Sequence, residues 1–431
     1  MYTYVVVPAT FEPAAGRSAR REPGLKWCRF GDKVIYWTTG VPESAAGQRV
    51  RTLGAVSQSS RGRLHLVVQA GNSFREQFPD IPVIIDHGRY LAVELSDEAV
   101  FRLSRANAAC VGFAALPHNS SVVLPVRRAG RQLRAVDPAL EVLASQVSST
   151  RLRRSLEALT SFGTRRSLSE GYQQAAEWAS TRLTQLGYDV SRVPVSVETG
   201  TSLSVVADQP GRARSPQLVL VTAHLDSINH VDGDLAPAPG ADDNGSGSAG
   251  LMEIARILSS RTNEQDLRLV LFGGEEDGLF GSRQYVRSLS SADRERLIAV
   301  INMDMIATLN SSDAGVLLEG APVSQQLIDE LLISAQDYTA LKVEVSLTPF
   351  ASDHVPFIDA GLPAVLTIEG SDSTNHNIHT GHDTIETIDY ALARDIVTMN
   401  LVTAARLLGT HTSIEDLERW HTASSTTTDI D

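Results

Sequence analysis

Cysteine is nearly absent: the 431-residue chain holds two, Cys28 and Cys110. Two thiols without Cys-x-x-Cys or Cys/His spacing exclude a disulfide framework and a structural zinc finger, leaving two buried free thiols as the expectation. Long apolar runs are missing as well. No stretch reaches the ~18 residues that a membrane span needs, so no membrane partner is expected. The opening Met1-Tyr2-Thr3-Tyr4-Val5-Val6-Val7-Pro8 lacks the basic start and cleavage site of a secretory leader. It reads as strand-forming mature sequence, and cytoplasmic residence is the expectation. Positive charge is in deficit, with 38 Lys+Arg against 51 Asp+Glu and a net charge of −13. No nucleic-acid motif accompanies the arginines, so no nucleic-acid partner is expected.

The deficit is uneven. Residues 1–140 carry 18 Lys+Arg against 11 Asp+Glu, or +7, which leaves −20 for the remainder. That asymmetry, in a chain longer than the ~250 to 300 residues at which single cores stop growing, argues for two units. Solvated surface charge is the expected reading of the basic half, with docking on the acidic half or attraction of an acidic substrate as the alternative.

Residues 1–135 read as a small α+β domain of unknown role. Val34-Ile35-Tyr36-Trp37, Leu64-His65-Leu66-Val67-Val68, Val83-Ile84-Ile85 and Tyr90-Leu91-Ala92-Val93 are short strand-like runs bounded by turn residues. A helix is predicted over Asp97–Arg105, and the basic, aperiodic stretch Pro125–Arg134 is the expected linker.

From 140 to 412 helices alternate with buried strands, the pattern of an α/β fold with a mostly parallel mixed sheet flanked by helices. Leu143, Val147, Leu152, Leu156 and Leu159 recur at helical spacing, and Tyr172, Ala175, Trp178, Leu183 and Leu186 do so again before Gly187. Four apolar runs read as buried parallel strands: 218–221, 267–272, 298–301 and 364–368. The last residues, 413–431, form a polar tail, and no internal repeat is visible.

His and carboxylate residues collect after those strands, where open α/β sheets bind their ligands. His224, Asp243, Glu276, Asp304 and His379 stand on separate strand ends or Gly-rich turns. Zinc takes nitrogen and carboxylate ligands, and a paired site needs a bridging carboxylate with terminal ligands on each ion. Asp243 is assigned as the bridge, with His224 and Asp304 on one ion and Glu276 and His379 on the other. Each residue alone is more often a satisfied buried polar group; the weight lies in the set.

The set, in its order, resembles the co-catalytic zinc aminopeptidases of metallopeptidase family 28, clan MH. The resemblance covers about Leu143–His411 and rests on Ala223-His224-Leu225-Asp226-Ser227, Pro239-Gly240-Ala241-Asp242-Asp243-Asn244-Gly245, Gly274-Glu275-Glu276-Asp277-Gly278, Asn302-Met303-Asp304-Met305 and His379-Thr380 followed by Asp383-Thr384. It implies the same ligands, two zinc ions per chain, and a nonprolyl cis peptide between Asp243 and Asn244. It also implies Glu275 as the general base and Asp226 as the carboxylate orienting His224, and the substrate becomes a peptide or aminoacyl amide. The alternative role for Asp226 is a turn cap. His354 is expected as a supporting residue, and His230, His376 and His382 as loop surface.

One departure stands out. Some family members carry a Tyr before the Ser-Asp-His segment, where this chain reads Thr348-Pro349-Phe350-Ala351, so oxyanion stabilisation falls to a metal ion or another donor. Alternative readings are a single-zinc glutaminyl cyclase-type acyltransferase, a carboxypeptidase or amidohydrolase on the same scaffold, and, most distant, a non-catalytic receptor-like binding protein. Metal content per chain separates the first, and loss of ligands would accompany the last.

Overall fold

The computed structural model describes residues 2–9, 24–39, 45–59, 62–105, 111–124, 136–198, 200–233 and 236–411. Cys110, the stretch 125–134 and the tail 413–431 lie outside these. The chain forms two compact units. The first comprises Met1–Arg127 together with Glu344–Ala351 and Ser371–His376; the second holds Arg128–Val343, Ser352–Gly370 and Asn377–Asp431. The sequence boundary at 135 therefore misses two short segments that join the first unit from far along the chain. Each is too short and aperiodic to declare a partner.

In the first unit, strands β1 (Tyr2–Pro8), β2 (Leu25–Phe30), β3 (Lys33–Thr39), β4 (Ser57–Ser59) and β9 (Ser120–Leu124) lie in the order β9-β2-β3-β1-β4. A second sheet, in the order β6-β7-β5-β8, is built from β5 (Arg63–Gln69), β6 (Val83–His87), β7 (Tyr90–Leu95) and β8 (Val111–Ala115). Helix Asp97–Leu103 starts where Ser96 accepts the amide of Ala99 and packs Leu103 into a core with Val67, Phe74, Leu91 and Val111. Cys28 is buried and free, its thiol pushed up to about 12 chiefly by burial. Val345 and Ser346, late in β16 (Lys342–Ser346), pair with Leu124 and Val123 of β9.

The second unit is a mixed sheet in the order β10-β11-β13-β12-β14-β17-β15, with β10 (Asp189–Val197), β11 (Gly200–Gln209), β12 (Leu218–His224), β13 (Asp266–Phe272), β14 (Leu297–Met303), β15 (Gly315–Glu319) and β17 (Ala364–Glu369). β12 runs parallel to β13 and β14, and β14 parallel to β17. The flanking pairs β10/β11, β11/β13 and β15/β17 are antiparallel.

Every residue of β12 is buried. Leu218 and Leu220 enter a cluster with Tyr285, Val286 and Phe357, while Val219 and Val221 point the other way and are equally buried. Burying each such side chain is worth ~1.5 to 3 kcal/mol, which explains the continuous apolar run. The predicted stripe from Leu143 to Leu159 is broken into helices Pro138–Ala144 and Ser149–Thr160, because Ser148 caps the second by accepting the amide of Arg151. Among the described residues no helix is long and apolar enough to cross a membrane.

Candidate metal centre

Parallel strands end on one edge of their sheet, and the site segments leave from it. His224 is the last residue of β12, and Asp304 follows the last residue of β14. Asp243 sits in the turn Ala241–Ser246 that opens helix Gly247–Leu258, and the Asp243–Asn244 peptide is cis. Glu275 and Glu276 leave β13 through Gly273-Gly274. A Cβ on Gly273 would meet the Leu203 carbonyl at 2.4 Å, and Gly274 has φ +74°, so only glycine fits both the approach and the turn. His379, with φ +55°, lies in the loop that leaves β17.

The five ligand candidates converge on Asp243. Its Oδ1 lies 3.3 Å from His224 Nε2, and its Oδ2 lies 3.1 Å from His379 Nε2. His224 Nε2 is also 3.1 Å from Asp304 Oδ1, and His379 Nε2 is 3.1 Å from Glu276 Oε2. Glu275 stands back, with Oε2 4.0 Å from His224 Nε2. One carboxylate thus divides its oxygens between two imidazoles, each with a further carboxylate of its own.

A supporting network holds these side chains. Ser352 Oγ donates to Asp304 Oδ2 at 2.7 Å and accepts from Asn302 Nδ2 at 2.9 Å; Asn302 Oδ1 in turn accepts from Thr222. Asp383 accepts the backbone amides of Asp242 and Asp243 at 2.8 and 2.9 Å. Asp226 accepts from the amides of Glu275 and Glu276 and from Ser167. Its Oδ1 is 3.6 Å from His224 Nδ1, too long for a hydrogen bond, whereas its own carbonyl is 3.2 Å from that nitrogen. Asp226 thus meets His224 through its backbone carbonyl, while its carboxylate accepts the amides of the Glu275-Glu276 turn some 50 residues on rather than those of a turn of its own.

Burial raises the Glu275 carboxyl well above its usual range and that of Glu276 to about 7. Burial would lower His224 and His379, but the surrounding carboxylates outweigh it and hold both imidazoles well above their usual value. Burial also acts on Asp243, where the two imidazoles overcome it and lower the carboxyl. The cluster thus retains protons that a cation would displace. Glu276 Oε1 and both carboxylate oxygens of Asp353 are buried without a hydrogen-bond partner. Orphaned carboxylate oxygens beside two imidazoles are a donor set suited to a divalent cation with mixed N/O preference.

Several contributors carried no sequence signal. Arg165 is fully buried, donating to the carbonyls of Leu225, Pro239 and Gly240, which lie 60 or more residues away. Its guanidinium is pushed down to about 10 by burial, with Asp383, Asp226, Asp243 and Glu276 opposing that shift. Ser352 and Asp353 open the Ser-Asp-His segment that ends at His354, and nothing in the sequence assigns either a role. His354 is buried, 3.2 Å from Glu319, though not aligned for a hydrogen bond. His376 and His382 are exposed, and so is His230. His230, however, packs its ring edge-on to His379 and donates its amide to the His379 carbonyl.

An α/β sheet presenting two imidazoles with a carboxylate between them beyond the carboxyl ends of its strands defines the class: an α/β protein with a candidate metal-ligand centre. The family follows from comparison with known proteins. The model of peptidase family M28 matches residues 204–404. The chain is 33% identical over 271 residues to leucine aminopeptidase 1 of Ajellomyces dermatitidis, covering 58% of this chain and 68% of that one. It is 32% identical over 214 residues to aminopeptidase YwaD of Bacillus subtilis, covering 48% of this chain but only 45% of the relative. Among solved structures, the LapA aminopeptidase of Legionella pneumophila superposes with a TM-score of 0.58 at 18% identity, over 81% of this chain and 99% of that one. A Bacteroides thetaiotaomicron glutaminyl cyclase shares the fold at 17% identity, with a TM-score of 0.51 over 60% of this chain and 97% of that one. The chain belongs to peptidase family M28.

Proposed function

We propose that the chain is an aminopeptidase with two zinc ions, removing N-terminal residues from peptides or aminoacyl amides. The observation that carries this reading is the division of Asp243 between His224 and His379, at 3.3 and 3.1 Å. A one-metal cyclase has no need of a carboxylate shared between two imidazoles. His224 and Asp304 would hold one ion, Glu276 and His379 the other, with Asp243 bridging.

Bound there, zinc would supply an acidified water and polarise the scissile carbonyl. Glu275, near the ligands but farther from the imidazoles than they are, takes the proton at its carboxylate and returns it to the departing amine. Asp226 keeps Glu275 and Glu276 in register by accepting both their amides. Phe350 offers no hydroxyl to an oxyanion, so that charge would be left to the metal centre or to another donor.

The test is zinc per chain measured by atomic emission on the sample assayed with leucyl anilide, its N-acetylated form, a C-terminally blocked peptide, an N-acetylated peptide with a free C-terminus and a peptide with an N-terminal Gln. Two zinc ions, cleavage of the free-amine substrates and no cleavage of the acetylated one are expected. One zinc with cyclisation of an N-terminal Gln would establish the cyclase instead, and cleavage confined to free C-termini the carboxypeptidase.

A further inference from the structure

The first compact unit is not made of N-terminal sequence alone, since Glu344–Ala351 and Ser371–His376 belong to it. Both segments run covalently toward the metal centre. Ala351 is followed by Ser352, whose hydroxyl binds Asp304, and His376 stands three residues before His379.

Inside the unit a single side chain holds both. Arg89, 4% exposed, donates from Nη1 to Asp372 Oδ2 at 3.1 Å and from Nη2 to the Phe350 carbonyl at 2.8 Å. Asp372 is itself 2% exposed. The backbone behind Arg89 is fixed, because Gln69 donates its amide to the Arg89 carbonyl and its side chain to that of Gly88. Further ties act on the same segments. Ser346 Oγ donates to the Val122 carbonyl at 2.7 Å, and the Phe350 ring lies so close over Gly112 that a Cβ there would meet it at 2.5 Å. A buried guanidinium is tolerated only when its donors are met, and its planar fork suits two fixed acceptors in a way that an ammonium does not.

We propose that Arg89 is a positioning residue for the metal centre, and that residues 1–127 are a built-in brace for the segments leading to Ser352 and His379 rather than a detachable prosegment. What those two residues do rests on the two-zinc reading; the clamp does not. Released segments would loosen one ligand directly and another through its hydroxyl partner. Partners one step behind a ligand commonly govern metal affinity by about 10- to 100-fold.

The experiment compares the wild-type chain with Arg89→Gln, Arg89→Lys and Arg102→Gln, the last breaking the exposed Arg102–Asp80 pair in the same unit. Three readouts are taken: amide exchange of 344–352 and 371–379 in metal-free protein, zinc affinity by chelator competition, and kcat and KM separately. Arg89→Gln should speed exchange in both segments, weaken zinc by about 10-fold or more and lower kcat by a similar factor with little change in KM. Arg89→Lys should recover only part of this, and Arg102→Gln should match wild type. Wild-type exchange, zinc affinity and kcat in Arg89→Gln would overturn the proposal, as would a loss that Arg102→Gln reproduces. If Arg89→Gln does not fold, Asp372→Asn tests the same clamp with the guanidinium in place. A wild-type chain that takes up no zinc and cleaves nothing would sink the functional reading alone, since exchange in the metal-free protein still decides the clamp.

Discussion

Glu275 and Glu276 are chemically identical neighbours to which the proposed function gives different work, so exchanging each for Gln separates proton transfer from metal binding. Glu276 Oε2 lies 3.1 Å from His379 Nε2, and its other oxygen is buried without a partner. Glu275 comes no nearer than 4.0 Å to His224. Replacing Glu275 by its amide isostere therefore leaves the short contacts among the proposed ligands in place and, on the proposed reading, removes the group that accepts the proton. A general base contributes ~10²- to 10⁴-fold, or about 3 to 5 kcal/mol of barrier. With its side chain 11% exposed, Glu275 leaves little room for bulk water to substitute, which places the loss in kcat at ~10³-fold or more. Zinc per chain should stay at the wild-type value.

Glu276→Gln should do the reverse in sequence of cause: zinc falls toward one per chain, and activity falls with it, recovering in part at high zinc. The assay is kcat on leucyl anilide with zinc measured by atomic emission on the same fractions. The refuting result is specific. Ligand atoms of Glu275, His224 and Asp304 all lie within 4.8 Å of one another. If Glu275→Gln loses a zinc ion while Glu276→Gln keeps both, the two roles are interchanged. If Glu275→Gln turns over at the wild-type rate, no proton passes through this carboxylate.

Three further outcomes follow from the packing. Arg165→Met should cost ~3 to 5 kcal/mol in denaturant unfolding, because buried carbonyls of Leu225, Pro239 and Gly240 lose their donor together; a loss under ~1 kcal/mol would show that they find other partners. Gly112→Ala should destabilise the first unit by ~1 to 3 kcal/mol through the clash with Phe350, and an unchanged melting temperature would contradict that contact. In metal-free protein Glu276 and Asp353 are raised to about 7 by burial, and His224 and His379 are raised by their carboxylates. The stability these groups contribute is full below their unfolded values and is lost as pH rises through the folded ones, whereas lowered Asp243 loses its share only at more acid pH. Calorimetry should find the melting temperature of chelator-treated protein falling between about pH 5 and 8, with zinc restoring most at the upper end; a rise over that window would refute the balance of charges.

The central strands were legible because burial on both faces demands continuous apolar runs such as Leu218–Val221, and the ligand candidates because His and carboxylates stand out immediately after them. The hairpin β10/β11 escaped because its outer strand is largely exposed and its polar residues mask any period. Arg165 and Asp383 act on backbone carbonyls and amides, which every residue offers, so nothing in the sequence marks their partners. Phe350 is the instructive position. Beside the Tyr that some family members carry, it registers only as a missing hydroxyl. In the structure its ring lies on Gly112 and its carbonyl receives Arg89. Neither contact involves the atom that Tyr would add: the ring serves the packing and the backbone supplies the acceptor. The difference from Tyr therefore bears on where the oxyanion finds its charge, while the segment's anchoring depends on features that Phe and Tyr share.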